Sequence, residues 1–169
     1  MMKDLIAALK ANGPRIKPKV RLLYTGGHAD NPEFFELLQQ NDAHVVSDNT
    51  GFGTRAADVL ICEDGDPLEA IINYYFEEKP AATRQMGTQV ERMERLLDLV
   101  KQYKADGVVA SRLYMCDLWA FEHFLMRKRL HENNVPFLEL EVDYTPEGQG
   151  QIKIRVQAFV ESLADRQTA

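Results

Sequence analysis

The sequence predicts an α/β domain, a four-stranded parallel sheet with helices on both faces. Three observations lead there. Short apolar runs recur with helical segments between them, no run has a neighbour close enough for a hairpin, and glycine, proline and asparagine punctuate the joins. Crossovers of this kind favour the strand order 2-1-3-4. A chain of 169 residues with 45% hydrophobic content suits one compact domain with its own core.

Residues 2–12 read as a short helix closed by Asn12-Gly13-Pro14, and the basic, proline-flanked residues 15–19 as a connector. Residues 1–18 are thus an N-terminal helix and connector, and residues 19–169 a single α/β domain. The first strand, 20–24, ends in Thr25-Gly26-Gly27, where glycine admits positive φ. Asn31-Pro32-Glu33 has the form of a helix start, and Phe34, Leu37 and Leu38 carry the period as far as Asn41. The second strand, 44–47, opens into a polar loop over 48–55. A helix follows over 66–76, with Leu68, Ile71, Ile72 and Tyr75 on one face.

The clearest helix spans 85–104, where Met86, Val90, Met93, Leu97, Val100 and Lys104 step by three and four with charges opposite and predict a core stripe. Residues 107–110 are the third strand and 118–133 a helix. The fourth strand, 137–142, is apolar at alternate positions, and Ile152, Val156, Phe159 and Leu163 mark a final amphipathic helix. The result is Rossmann- or flavodoxin-like, and ligands of such sheets meet the carboxyl ends of the strands. The loops there are 25–31, 48–55, 111–117 and 143–149.

A net charge of −6 and a pI near 5.3 provide no basic field to gather nucleic acid or anionic lipid. Apolar runs fall far short of a membrane span, and the N-terminus does not read as a secretory signal. Cys62 and Cys116 form no metal-binding spacing with each other, and a reducing, cytoplasmic setting is expected.

Cys116 lies between the third strand and the helix after it, in Ser111-Arg112-Leu113-Tyr114-Met115-Cys116-Asp117. Free N–H groups and the dipole of a helix N-terminus stabilise a thiolate there. Such a sulfur serves as nucleophile, metal ligand or plain structural thiol, and the residues alone leave all three open. A nucleophile needs a base: His28 follows the first strand, whereas His123 and His131 lie down the next helix. A metal site needs three or four ligands, and one thiolate supplies one.

Thr25, Gly26 and Gly27 form a candidate substrate-binding turn, although G-x-G-x-x-G and the P-loop Lys-Ser/Thr are both missing. The same glycines equally suit a tight turn beside a crowded edge. Asp48, Glu63, Asp64 and Asp66 make an acidic series, a hard-cation site or a set of caps. Arg127-Lys128-Arg129 reads as a helix face that is solvated or paired with Glu122 and Glu132.

Three stretches carry a family resemblance. The first is Leu23-Tyr24-Thr25-Gly26-Gly27 with Asp30-Asn31-Pro32-Glu33-Phe34. The second is Val45-Val46-Ser47-Asp48-Asn49-Thr50-Gly51 with Thr54-Arg55 and Glu63-Asp64-Gly65-Asp66-Pro67-Leu68. The third is Asp106-Gly107-Val108-Val109, Cys116-Asp117, Phe121-Glu122 and Val135-Pro136-Phe137-Leu138-Glu139-Leu140-Glu141-Val142-Asp143-Tyr144-Thr145-Pro146, continuing to Arg155, Phe159 and Glu161. Their order and spacing resemble the 2-hydroxyacyl-CoA dehydratase family, which includes benzoyl-CoA reductase subunits. The resemblance runs from about Lys19 to Leu163 and matches the C-terminal lobe alone.

Family subunits have two α/β lobes with a 4Fe–4S cluster between them. Two cluster cysteines come from the first lobe and the third from a Cys-Asp turn of the second, which is Cys116 here. Cys62 is not recruited, and Asn49 stands where relatives often have an apolar residue followed by cysteine. Acting alone, the chain lacks the two first-lobe ligands. The resemblance implies low-potential, anaerobic radical chemistry: an ATP-dependent activator protein injects one electron, and the acyl-CoA thioester becomes a ketyl that loses its 2-hydroxyl, or an aromatic ring is reduced.

The implied function is the C-terminal lobe or short subunit of such a lyase or reductase. The implied partners are a chain carrying the first lobe, a second dehydratase subunit, the activator and the acyl-CoA. The alternative is a non-catalytic α/β binding or scaffold module of the same descent, without a cluster. Either way an exposed contact face is expected around the carboxyl edge and the Tyr114-Met115 turn.

Overall fold

The computed structural model of the chain describes residues 1–13, 16–27, 31–40, 42–85, 87–143 and 149–168. His28, Asp30, Asn41, Met86 and Tyr144-Thr145-Pro146 lie outside them. Four parallel strands, β1 (Val20–Gly26), β2 (Ala43–Asn49), β3 (Gly107–Leu113) and β4 (Phe137–Val142), are ordered β2-β1-β3-β4, as expected from the crossovers.

The helices are α1 (Met2–Asn12), α2 (Pro32–Leu38), α3 (Thr54–Ala57), α4 (Pro67–Asn73), α5 (Gln89–Tyr103), α6 (Asp117–Glu132) and α7 (Gln149–Thr168). Among them none is long and apolar enough to cross a membrane.

Alternation along the strands divides the core into two layers. On one face Val20, Leu22, Tyr24, Val109 and Leu140 pack with Leu38 of α2 and Val156, Val160 and Leu163 of α7. On the other, Leu23, Val108 and Ala110 meet Met93, Leu96, Leu97 and Val100 of α5 and Met126 and Leu130 of α6. The helices therefore cover both faces, as the sequence predicts.

Side chains tie down the ends of these elements. Asn31 caps α2 through Glu33 N–H at 2.9 Å, and Asp66 caps α4 through Leu68 N–H at 2.7 Å, each ahead of a first-turn proline. Arg21 donates from Nη2 to the Tyr103 carbonyl at 2.8 Å, closing the α5 C-terminus on β1. Along β4, Arg155 donates to the backbone carbonyl of Glu139 at 2.7 Å. The Glu139 carboxylate itself pairs with Arg127 and lies 3.6 Å from Arg112 Nε.

Several expectations change. The loop after β2 contains α3, four residues long and too short for a period to reveal. The helix expected over 66–76 is α4 followed by a π-helical turn, Tyr74–Glu78. Tyr74 is buried and donates to the Ala56 carbonyl at 3.2 Å, but Leu68, Ile71, Ile72 and Tyr75 are exposed. Val90, placed on the core stripe of α5, is 72% exposed; Arg92, Leu96 and Leu99 are buried in that helix instead. Helix α1 buries none of its residues.

Candidate functional site

The carboxyl ends of β1, β2 and β3 meet in a layer of polar side chains. Tyr24 Oη and Ser111 Oγ lie 2.5 Å apart, buried between β1 and β3. Burial pushes the Tyr24 phenol up to about 12, with the Ser111 hydrogen bond opposing in part. Thr25 pairs across the sheet with Asn49 and with Ala110, so these three side chains share the face of α5 and α6. Asn49 is buried there, and its Oδ1 finds no partner among the described residues.

Gly26 shows why this turn takes glycine. Its φ is +136°, and a Cβ on it would sit 2.2 Å from the Ser111 carbonyl oxygen. The Gly27 N–H donates to that same oxygen at 3.0 Å, and a Cβ on Gly27 would touch the Trp119 indole nitrogen at 3.5 Å. The close approach of β1 to β3 thus accounts for Gly26 without a ligand. Thr25 is fully buried, so of the three Gly27 lies nearest to solvent.

Cys116 is the N-cap residue of α6, half-buried, with extended φ −88° and ψ 92°. The turn that presents it is tight. The Cys116 N–H donates to the Leu113 carbonyl at 3.1 Å, and Met115 adopts a left-handed φ of 62°. The N–H groups of Asp117 and Leu118 open the helix and have no acceptor within it. Tyr114 and Met115 are 66% and 77% exposed, and Leu118 and Phe121 extend this apolar surface along α6. Cys62 is an exposed thiol in the segment before α4.

Two members of the acidic series, Asp48 and Asp66, are taken up by turn and cap hydrogen bonds. Asp48 accepts from the N–H and hydroxyl of Thr50, at 2.9 and 2.6 Å, and from the N–H and hydroxyl of Thr54. Burial raises the Asp48 carboxyl, but these bonds together hold it below the ordinary carboxylate value. Gly53 makes room, since a Cβ there would lie 2.0 Å from Asp48 Oδ1. Asp66 is occupied as a cap. No group of three His, Cys, Asp or Glu side chains among the described residues could hold a metal ion.

Two features escaped the sequence reading. Arg92 and Glu122, buried on α5 and α6, form a two-pronged ion pair at 2.7 and 2.8 Å. Glu122 is therefore not the partner of the basic run: Arg127 pairs with Glu139, and Arg129 with Glu94 and Glu132. The signal was present, because Glu122 lies four residues before Met126 and eight before Leu130 on the buried stripe.

The second feature is His123, fully buried, with Nδ1 3.4 Å from the Glu139 carboxylate. Burial lowers its pKa, and Glu139 opposes the shift.

The model of the family described as 2-hydroxyglutaryl-CoA dehydratase, D-component, matches residues 1–163 and so takes in α1 as well. The (R)-phenyllactyl-CoA dehydratase beta subunit of Clostridium sporogenes is 24% identical over 166 residues, covering 96% of this chain and 43% of the relative. The lactoyl-CoA dehydratase subunit beta of Anaerotignum propionicum is 25% identical over 164 residues, 96% of this chain and 44% of the relative. A benzoyl-CoA reductase subunit of Thauera aromatica is 23% identical over 169 residues, 96% of this chain and 43% of the relative. The chain spans about two-fifths of the length of these relatives. It belongs to the 2-hydroxyglutaryl-CoA dehydratase D-component family.

Proposed function

We propose that this chain is the C-terminal lobe, or a short subunit, of an iron–sulfur enzyme acting on acyl-CoA thioesters, either a 2-hydroxyacyl-CoA dehydratase or a benzoyl-CoA-type reductase. The observation that carries the reading is the place of Cys116: a half-buried thiol at the head of α6, on the carboxyl edge of a sheet whose sequence belongs to this family. Cys116 fits one corner of a 4Fe–4S cluster. The described residues offer no set of three donors, so a chain carrying the first lobe supplies the others. A cluster held there would supply low-potential one-electron chemistry for an acyl-CoA thioester.

The protein's own contribution is positional. The left-handed Met115 turn sets Cys116 at the head of α6, with the N–H groups of Asp117 and Leu118 opening the helix beside it. Gly27 and the Trp119 indole wall the neighbouring turn, where the acyl-CoA is received. The exposed surface of Tyr114, Met115, Leu118 and Phe121 excludes water once the first lobe covers it. A second dehydratase subunit and an ATP-dependent activator protein complete the assembly.

Anaerobic reconstitution with a first-lobe partner tests this. Bound iron and sulfide, with charge-transfer absorbance, should appear in the complex and fall to background in Cys116→Ala, while Cys62→Ala leaves them unchanged. Equal iron content in wild type and Cys116→Ala removes the cluster reading and leaves a scaffold module.

A further inference from the structure

Apart from the cysteine turn, the carboxyl edge gathers three arginines, two of which keep unused donors among the described residues. Arg55 comes from α3, directly after β2, and Arg92 and Arg95 from the start of α5, which descends over the same edge. Arg92 is fully committed. Its Nε and Nη2 hold Glu122, and its Nη1 donates to the Thr88 hydroxyl at 2.6 Å and to the Gln85 carbonyl at 3.1 Å. Arg95 is half-committed: Nη1 meets Asp58 at 2.5 Å, while its buried Nε and Nη2 have no partner among the described residues.

Arg55 makes no hydrogen bond or ion pair among the described residues, yet it is half-buried. Burial, then the charges of Arg95 and Arg92, push its guanidinium below its ordinary pKa, with Glu122 pulling the other way. Gly51 lets the loop close on it, since a Cβ there would lie 3.0 Å from Arg55 Nη2.

Arg92 is paired with Glu122 and Arg95 with Asp58, while Arg55, half-buried beside them, has no carboxylate paired to it among the described residues. Like charges held together in reduced dielectric repel strongly, and a planar fork with unused donors is built for oxyanions. We propose that Arg55, backed by Arg95, binds the oxyanion group of a ligand, a phosphate ester or a carboxylate, at the carboxyl edge of the sheet. Arg92 is a positioning residue, locking α5 to α6 so that the other two stay on this edge. The site stands on the arginine geometry and not on the cluster.

Inorganic phosphate is the first probe, read as its effect on melting temperature and by calorimetry at fixed ionic strength against chloride. Wild type should gain stability with phosphate beyond the chloride control. Arg55→Gln should bind at least about tenfold more weakly, and Arg55→Lys should fall between. The surface variant Arg129→Gln should match wild type. If Arg55→Gln proves unfolded by circular dichroism, Arg95→Lys carries the same comparison.

Competition separates the sources: adenosine 3′,5′-bisphosphate displacing phosphate assigns the site to a nucleotide end, and glutarate displacing it assigns the site to an acyl carboxylate. An equal phosphate response in wild type and the Arg55 variants, or none beyond chloride in wild type, overturns the proposal. No readout requires iron, so its failure is distinct from failure of the Cys116 reading.

Discussion

Helices α4 and α5 both step their apolar residues by three and four, and the fold treats them oppositely. α5 lays Met93, Leu96, Leu97 and Val100 against β1 and β3 and makes half of one core layer. α4 leaves Leu68, Ile71 and Ile72 open to solvent, and only Tyr74 of the π-helical turn after it is buried. A hydrophobic period states that a face needs cover and does not say where the cover comes from. In α5 the cover is the chain's own sheet. For α4 no cover is found among the described residues.

The largest expected effect breaks the anchored side of this comparison. Arg92→Ala would strand the buried Glu122 carboxylate and should cost roughly 3–5 kcal/mol by denaturant unfolding. Next, Leu97→Ala should cost roughly 2–5 kcal/mol through a cavity in the layer below α5. Ile71→Ala on α4 should stay within about 0.5 kcal/mol in the isolated chain. In a complex with a first-lobe partner, the same Ile71 variant should weaken association. A large loss from Ile71→Ala in the isolated chain would mean that α4 is covered after all.

Acid sharpens the contrast between the buried network and the surface. His123, Asp48 and Glu139 all have folded-state pKa values below their ordinary ones. Each therefore contributes stability that is complete above its unfolded value and lost as pH falls through the folded one. Melting temperature should begin to fall below pH 6.5, where His123 would start to charge in the unfolded chain. It should fall again below about pH 4 as Asp48 and Glu139 protonate. His123→Leu should flatten the first step and Asp48→Asn the second.

An effect of opposite sign concerns the cysteine turn. Met115→Gly relieves a left-handed φ and should be neutral or stabilising by up to about 1 kcal/mol. Cys116 would remain at the head of α6.

What was legible followed from repetition. The strands and the long helices rest on apolar runs and periods, the strand order on the crossovers between them, and Cys116 was placed by the join between a strand and a helix. What was missed is short or long-range. Helix α3 has four residues, and the π-helical turn differs from an α-helix by one hydrogen-bond step. Arg92 and Glu122 are thirty positions apart, and nothing local announces that two helices will bring them together. Neighbouring basic residues offered Glu122 a nearer explanation, although its phase with Met126 placed it inward. Val90 failed for the opposite reason: its spacing suits the stripe, but the fold leaves the first turn of α5 uncovered on that side.

The guanidinium of Arg155, set on the Glu139 carbonyl, bears on how such molecules meet one another. β4 ends the sheet, and a bare terminal strand invites a stranger's backbone to continue it, the route by which parallel sheets run on into fibres. Here an incoming chain would first have to evict a charged side chain from its hydrogen bond. Growth by strand annexation is thereby discouraged along that border, and association is left to side-chain surfaces, where partners can be told apart.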